Sequence, residues 1–139
     1  MARPIPGTGG PKARLAVLGA WRALRLRCPL CGAGHITRRW VTVVPTCPRC
    51  RLRLDRGEPD YWIGAMLFNL IAAETLFACA VLAVLLLTWP NPPWDALYWG
   101  GIAGTIVMPI VTYPVTKLIW LTFDLLFRPP HPGDFTPAA

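Results

Sequence analysis

Residues 28–50 read CPLCGAGHITRRWVTVVPTCPRC and contain two Cys-x-x-Cys pairs separated by fifteen residues. This spacing is typical of a four-cysteine zinc site. A tight turn brings the two sulfurs of each pair together, so that four thiolates can surround one tetrahedral ion at about 2.3 Å. We therefore expect one structural Zn²⁺ per chain, with these ligands: Cys28, Cys31, Cys47 and Cys50.

The segment between the two pairs has the composition of a β-strand. Residues 36–44 (ITRRWVTVV) are rich in β-branched side chains, alternate in part, and lie between Gly34 and Pro45. Short strands held by a metal form a zinc ribbon, which we expect over residues 28–56. A module of about thirty residues needs the metal because it buries too little apolar surface to fold alone.

Other chemistries are available to four cysteines. Two disulfides would need an oxidising compartment, whereas the charge distribution described below places this end of the chain in the cytoplasm. A thioredoxin-type redox pair lies beside a βαβ pattern, which the sequence lacks. His35 comes four residues after Cys31, so the haem-attachment pattern C-x-x-C-H is not matched and His35 is expected at the surface. Iron uses the same ligands as zinc and stays open as an alternative.

A metal with four protein ligands has no open position for water or substrate, so the predicted site is structural rather than catalytic. The sequence also shows no Ser-His-Asp or Cys-His set and no phosphate-binding loop. The fifth cysteine, Cys79, lies among Ala and Leu and is expected to behave as a small apolar side chain. We therefore predict that the protein is not an enzyme.

Charge is divided unevenly along the 139 residues. The first sixty residues hold twelve of the fourteen Lys and Arg, whereas residues 61–127 hold one Lys, no Arg and three acidic residues. A soluble domain spreads its charges over its surface, but a membrane-spanning segment excludes them. The composition therefore indicates a cationic head attached to an apolar, membrane-embedded body.

Two apolar stretches form the body. Residues 61–89 contain one charged residue, Glu74, and span about 42 Å as a helix, enough for a bilayer core and both interfaces. Residues 90–96 begin with Pro-Asn-Pro-Pro, which excludes a helix and predicts an external turn. A second helix is expected over 97–127, with its end continuing as a cytoplasmic extension. The predicted fold is a small, metal-stabilised zinc ribbon followed by an α-helical two-span transmembrane hairpin.

The distribution of basic residues predicts the orientation. The external turn carries Asp95 and neither Lys nor Arg, so the positive-inside rule places both termini on the cytoplasmic side of the membrane. We expect this membrane to be a bacterial inner membrane. Residues 1–13 and 128–139 are rich in Pro and are expected to be disordered. Residues 14–27 form a basic amphipathic lead-in, which is either a segment on the inner membrane surface or an ordinary helix or strand entering the ribbon.

Two polar residues, Asn69 and Glu74, fall within the first predicted span. A charge near the bilayer centre costs at least about 2.5–3.5 kcal/mol, so Glu74 is expected to be neutral or paired. One interpretation gives it a partner protein, a cofactor or a proton path. The other gives it a hydrogen bond to Thr105, Thr112 or a backbone carbonyl of the second span.

The second span contains small residues and prolines. The pattern Gly100-x-x-x-Gly104 allows close contact with the first span or with another subunit, although Gly is frequent in membrane helices generally. Pro109 and Pro114 are expected to kink the helix.

With these residues in place, the chain resembles the bacterial family known as domain of unknown function 983. The resemblance covers residues 22–127, although members commonly have Gly where this chain has Arg51. It implies the ribbon and two-helix architecture, without an established activity. Some members are encoded near cytochrome oxidase genes, which implies a link to respiratory-complex assembly. The matching features are Arg27-Cys-Pro-Leu-Cys-Gly32, Cys47-Pro-Arg-Cys50, the polar stretch 56–60, and Lys117.

These observations predict a non-enzymatic accessory, assembly or scaffold component of a membrane complex, with a membrane-protein partner or further copies of itself. The alternative is a membrane-tethered module that binds nucleic acid or anionic lipid through a basic surface. Only Trp40 offers aromatic stacking beside that surface. The residues expected to form it are Arg38, Arg39, Arg49, Arg51 and Arg53.

Overall fold

The computed structural model describes residues 12–136, in which a small cysteine-rich unit sits at one end of a helical hairpin. Three helices and one two-stranded sheet make up this architecture. In chain order the elements are α1 (Lys12–Leu24), β1 (Thr37–Arg39), β2 (Thr42–Val43), α2 (Ile63–Thr88), α3 (Trp94–Phe127) and a 3₁₀ turn (Pro132–Asp134).

Helices α2 and α3 pack against each other as a hairpin and are both long and apolar enough to cross a membrane. Only 6% of the most apolar window of α2, and 22% of that of α3, is buried inside the protein. The core helix of a soluble protein would be mostly buried, whereas these helices expose apolar side chains around most of their circumference. The fold is therefore a zinc-ribbon unit followed by a helical hairpin of two candidate membrane spans, as predicted.

Helix α3 passes through two environments. Residues 94–113 include no fully buried side chain, whereas Pro114 and seven later residues of the helix are buried beneath α1 and the ribbon. The exposed section holds about twenty residues and is about 30 Å long, which is the thickness of a bilayer's hydrocarbon core. Tyr113 therefore marks a boundary level on α3 between the exposed and the protein-covered sections.

The segment between the cysteine pairs is a β-hairpin and not the single strand expected over 36–44. Strands β1 and β2 pair antiparallel, with Thr37 opposite Val43, and the Val44 N–H donates to the Ile36 carbonyl at 2.8 Å. Ile36 is fully buried, whereas residues 38–41 are all exposed. The chain reverses at residues 38–41 because Arg38 and Arg39 stay in contact with water, whereas the apolar start of the segment at Ile36 is buried. Residues 38–41 are called the ribbon tip below.

The ribbon shares its core with the helices. One apolar cluster joins Ala23 of α1, the first cysteine of each pair, leucines of the ribbon and the last turns of α3. Close approach of α1 requires a glycine, since a Cβ on Gly19 would lie 2.5 Å from the Thr122 Cγ2 atom. The helical residues that contribute to this shared core are Ala23, Leu118, Leu121 and Leu125.

The end of the chain is ordered against the ribbon as far as Thr136, although disorder is expected from the composition of 128–139. Phe135 forms a β-bridge with Leu52, and the Arg53 N–H donates to the Asp134 carbonyl at 2.8 Å. A β-bridge and a backbone hydrogen bond thus anchor a proline-rich segment that has little intrinsic structure. Residues 1–11 and 137–139, for which disorder is also predicted, lie outside the described residues.

Candidate metal centre and its attachment to the helices

The two cysteine pairs adopt the same turn. In the first, the Gly32 N–H donates to the Cys28 carbonyl at 2.8 Å, and in the second the Arg51 N–H donates to the Cys47 carbonyl at 3.0 Å. Gly32 and Arg51 both have positive φ, +75° and +61° respectively. Glycine adopts this conformation freely, whereas an L-residue such as Arg51 does so at a cost of about 1–2 kcal/mol.

These turns bring the four sulfurs together. The Cys28 and Cys50 Sγ atoms lie 3.9 Å apart, those of Cys31 and Cys47 lie 3.6 Å apart, and all four fall within 4.8 Å of one another. A regular tetrahedron with metal–sulfur bonds of 2.3 Å has edges of about 3.8 Å. A disulfide bond is about 2.05 Å long, so these separations correspond to metal ligands and not to disulfides. The predicted ligands therefore form a candidate metal site.

The environment of the cluster favours a bound cation. Cys28 and Cys47 are buried, while Cys31 and Cys50 are half-buried. Hydrogen bonding with Cys47, followed by burial, raises the pKa of the Cys28 thiol, whereas hydrogen bonds from Cys28 and Cys50 lower the pKa of Cys47. A divalent cation bound by the four sulfurs would stabilise the deprotonated form of all four. His35 lies apart from the cluster and is exposed, as expected.

Helix α1 holds the first cysteine turn. The Arg22 Nη1 atom donates to the carbonyls of Pro29 and Leu30, at 3.0 Å each. These carbonyls belong to the two residues between Cys28 and Cys31, so Arg22 fixes the backbone that presents both sulfurs. Residues 14–27 therefore serve the metal site directly, a role that the sequence pattern does not indicate.

A buried ionic cluster attaches the ribbon to α3. The Arg56 side chain is only 2% exposed, and its Nε and Nη1 atoms lie 3.3 Å from Asp124 and 3.0 Å from Asp134. Tyr61 donates its hydroxyl to the Asp124 Oδ2 atom at 3.2 Å, and burial followed by the Asp124 charge raises the pKa of Tyr61. The segment that contains Arg56 and Tyr61, the end of α3 and the 3₁₀ turn thus meet at the Arg56 guanidinium group.

A second, exposed ion pair lies beside this cluster. The Arg128 Nη2 atom lies 2.7 Å from the Glu58 Oε1 atom, and this contact lowers the pKa of Glu58 and raises that of Arg128. Both side chains are about half exposed, so solvent screens their interaction. The stretch 56–60 thereby contacts the end of α3 at two points, which explains its polar sequence.

Lys117 lies beneath the ribbon tip and not at the surface. Its Nζ atom donates to the Val41 carbonyl at 3.0 Å and sits 4.9 Å from the centre of the Trp62 ring and 4.7 Å from that of Tyr113. The side chain is buried, and a backbone oxygen and two aromatic faces replace water around the ammonium group. The sequence analysis names Lys117 as a feature shared with the DUF983 family but predicts none of these contacts.

The ribbon tip also contacts the exposed section of α3. The Trp40 Nε1–H donates to the Ile110 carbonyl at 3.1 Å. This carbonyl would normally accept from residue 114, but Pro114 has no N–H. Trp40 thus supplies the donor that the Ile110 carbonyl lacks within the helix. To do so it extends past the boundary level at Tyr113 into the exposed section of α3.

The family can now be stated. The model of the family described as "Protein of unknown function (DUF983)" matches residues 37–124. The chain belongs to this family. The matched part contains the ribbon tip, the second cysteine pair and almost all of both long helices, while the first cysteine pair precedes it. No curated protein and no solved structure matches the chain.

In this DUF983 protein, Asn69 joins the two candidate spans. Its amide nitrogen donates to the Pro109 carbonyl at 3.1 Å, and its Oδ1 atom accepts from the hydroxyls of Thr112 at 2.7 Å and Thr116 at 3.3 Å. Asn69 therefore acts as an interhelical hydrogen-bonding residue near the boundary level. The sequence shows that Asn69 is a polar residue within a span, but it does not indicate which residues are its hydrogen-bond partners.

Glu74 does not make the hydrogen bonds expected of it. Its side chain is exposed on α2, and no hydrogen bond to it is found within residues 12–136. Thr112 is bonded to Asn69, and the Thr105 hydroxyl donates to the Ile102 carbonyl of its own helix. Among residues 12–136 the structure therefore gives Glu74 none of the hydrogen bonds to α3 that the second interpretation expects.

In the DUF983 protein, Gly104 packs toward α2, which is one of the two contacts that the Gly100-x-x-x-Gly104 pattern allows. A Cβ on Gly104 would lie 3.0 Å from the Phe77 Cε2 atom, and one on Gly101 would lie 3.8 Å from the Phe77 Cζ atom, so these two face α2. Gly100 faces open space. The pair Gly100 and Gly104 therefore does not form a single contact face within the chain.

The five arginines predicted as one basic surface lie on two parts of the ribbon. Arg38 and Arg39 belong to the ribbon tip, whereas the others belong to the second cysteine turn and the residues after it. Arg53 is drawn toward Asp55, with 4.0 Å between Nε and Oδ1. The stacking residue expected beside the surface, Trp40, is engaged with α3. The three arginines away from the tip are Arg49, Arg51 and Arg53.

Proposed function

We propose that the protein is a non-enzymatic component of the bacterial inner membrane that serves as an accessory, assembly or scaffold subunit of a membrane complex. The supporting observation is the closed four-sulfur cluster at the end of two helices that are largely unburied in the chain itself. A metal with four sulfur ligands has no position for substrate. The exposed helices offer a large surface to lipid or to other membrane helices.

Zinc is the metal we propose for the cluster. Four thiolates in tetrahedral positions suit Zn²⁺, and iron is the alternative with the same ligands. Cys28, Cys31, Cys47 and Cys50 would hold the ion, which would supply folding energy to the ribbon and no reactive centre.

We propose that the exposed helices cross the membrane with both chain ends in the cytoplasm. The segment that joins them is short and carries no Lys or Arg, while the ribbon end carries most of the basic charge. In a Cys79→Ser background, a membrane-impermeant maleimide should label Asn91→Cys on intact cells. It should label Gly133→Cys, which faces open space, only after permeabilisation. The reverse pattern would contradict this orientation.

The decisive experiment is purification in mild detergent without added metal or strong chelator, with bound metals and co-purifying proteins measured together. We expect one zinc per chain and a stoichiometric membrane-protein partner. The family resemblance suggests a respiratory oxidase as the first complex to examine. A Cys28→Ser/Cys47→Ser double variant should lose the zinc.

Two results would count against the proposal. Iron in place of zinc would change the identity of the metal and raise the question of redox chemistry. A zinc-loaded protein that runs as a lone monomer, and that crosslinking in membranes leaves without any neighbour, would remove the accessory or scaffold role.

A further inference from the structure

We propose that the ribbon tip is a binding site for anionic phospholipid headgroups on the membrane face from which the ribbon extends. The tip comprises Arg38, Arg39, Trp40 and Val41. This inference rests on the proposed membrane placement of α2 and α3, and it assigns to the tip a partner that the accessory role does not require.

The depth of the tip follows from its contacts with α3. Trp40 donates to the Ile110 carbonyl, which lies in the exposed section of the helix, and the Val41 carbonyl accepts from Lys117, which lies in the covered section. The two contacts straddle the boundary level at Tyr113. A tip fixed at both points lies where the hydrocarbon core meets the headgroups.

The exposed parts of the tip suit that position. Trp40 is 56% exposed despite its hydrogen bond, and Val41 is 41% exposed. Neighbouring Ile110 and Val111 of α3 are also about half exposed. If the ribbon tip lay in water, these four side chains would form an exposed apolar patch. Tryptophan favours the membrane interface because its ring is apolar while its N–H can still be satisfied.

The positive charge of the ribbon tip indicates that the headgroup it binds is anionic. Arg38 and Arg39 are adjacent and exposed, and no acidic residue occurs between Lys12 and Leu54 to neutralise them. Their long side chains can extend from the tip toward the phosphate layer, as arginines near membrane interfaces commonly do. Guanidinium groups bind phosphate through paired N–H donors. The tip thus combines an aromatic anchor with two phosphate-binding groups.

The position of Trp40 can be measured by ¹⁹F NMR of the full-length protein labelled with 5-fluorotryptophan in lipid nanodiscs. The Trp40 resonance is assigned by its loss in Trp40→Phe. We expect a nitroxide carried on lipid near the headgroup to broaden this resonance, and a water-soluble paramagnetic chelate to leave it largely unchanged. Broadening by the aqueous agent alone would place the tip in water and overturn the inference.

Lipid selection is tested by measuring how much phosphatidylglycerol, relative to phosphatidylcholine, stays bound after detergent extraction from mixed vesicles. Arg38→Gln/Arg39→Gln should lower the retained ratio several-fold, and added salt should lower the wild-type ratio in the same direction. The matched control is Arg49→Gln/Arg53→Gln, which makes the same charge change away from the tip and should retain the wild-type ratio. Equal loss in both double variants would overturn the site.

The same preparations separate this inference from the proposed function. Bound zinc per chain and insertion of α2 and α3 are measured for every variant. A well-inserted, zinc-loaded protein with Trp40 in water contradicts the lipid site alone, whereas failure of insertion contradicts both. Protection of the tip by a protein neighbour, or salt-sensitive binding of an RNA oligonucleotide that the tip double variant loses, would replace lipid with that partner.

Discussion

Arg56 shows how much of the architecture depends on a single side chain. It is almost fully buried and lies between two carboxylates, one on α3 and one in the segment after it. A buried charge that loses its partner carries an uncompensated desolvation cost, which is far larger than the worth of an exposed pair. The residue therefore links the metal site to the helices more strongly than its place in a polar loop indicates.

Replacing Arg56 with Met should destabilise the junction between ribbon and α3 by about 3–5 kcal/mol, because Asp124 and Asp134 would lose their shared partner. Hydrogen exchange of the ribbon amides in detergent measures this, with bound zinc determined in parallel. Arg53→Gln is the control, since its pair with Asp55 is exposed and at 4.0 Å, and should cost less than about 1 kcal/mol. Similar effects from both substitutions would contradict the buried linkage.

Tyr61 predicts a specific pH dependence. Burial and Asp124 raise its pKa above the ordinary value near 10, so the folded protein holds this proton more tightly than the unfolded chain. The resulting stabilisation is complete below about pH 10 and is lost as the pH rises beyond it. Thermal unfolding in detergent from pH 8 to pH 11 should therefore show a smaller alkaline loss of stability in Tyr61→Phe. An identical profile would exclude this contribution.

At the scale of elements, the helical hairpin is held by close packing at a few points. Gly64 lies against the Trp120 ring, where a Cβ would come within 2.3 Å of the Cζ2 atom, and Trp120 also donates to the Tyr61 carbonyl. Asn69 adds hydrogen bonds between the helices nearby. The contacts that define the hairpin thus concentrate near the ribbon end of α2.

Gly64→Ala should destabilise the helical hairpin by about 1–3 kcal/mol, because Trp120 would have to move and release its hydrogen bond. Gly100→Ala, which faces open space, should leave the stability of the hairpin unchanged or slightly higher. The measurement is resistance to unfolding in detergent of the two zinc-loaded variants. A larger effect at Gly100 would mean that another chain covers that face.

Asn69→Leu should weaken the association of α2 with α3 by about 0.6–1.7 kcal/mol, the range for interhelical hydrogen bonds in membranes. Thr75→Val is the matched control, because the Thr75 hydroxyl bonds only to the Ile71 carbonyl of its own helix. Forced separation of the helices by steric trapping would report the difference. No difference between the two variants would show that Asn69 does not hold the hairpin together.

The elements differ in how far the sequence predicts them. The cysteine pairs and the two apolar helices depend on local spacing and hydropathy, so both are predictable. The ribbon tip is not, since its position depends on Lys117 and Ile110, which are 76 and 70 residues away from their partners. The contacts of Arg56 and Phe135 are unpredictable for the same reason, since their partners are distant in sequence. Pro114 is the one local clue, because it leaves the Ile110 carbonyl open.

The whole molecule combines a small ribbon built around a four-sulfur cluster with two long apolar helices. The ribbon has only a short two-stranded sheet and is built around its four-sulfur cluster, whereas α2 and α3 are long helices that pack against each other. Removal of the metal should therefore affect the two parts differently. The structure joins them through one core, so some loosening of the end of α3 is expected as well.

Chelation of the metal should leave most of the helical far-ultraviolet circular dichroism intact, while proteolysis within the ribbon becomes much faster. The physical reason is that ligation supplies folding energy to the ribbon, and the helices satisfy their backbone groups internally. Re-addition of zinc should restore protease resistance. Loss of most helical signal on chelation would show that the hairpin depends on the metal.

The shared core has a consequence for biogenesis. The first cysteine pair leaves the ribosome long before Leu118, Leu121 and Leu125, which complete the core around it. Those leucines belong to the last third of α3, so they are synthesised after all of α2 and most of α3. The thiols therefore stay incompletely enclosed until the end of α3 has been made. We therefore expect a bound metal to be retained stably only once the end of α3 has been synthesised. A nascent chain arrested before Leu118 should exchange its zinc with a chelator far faster than the full-length protein.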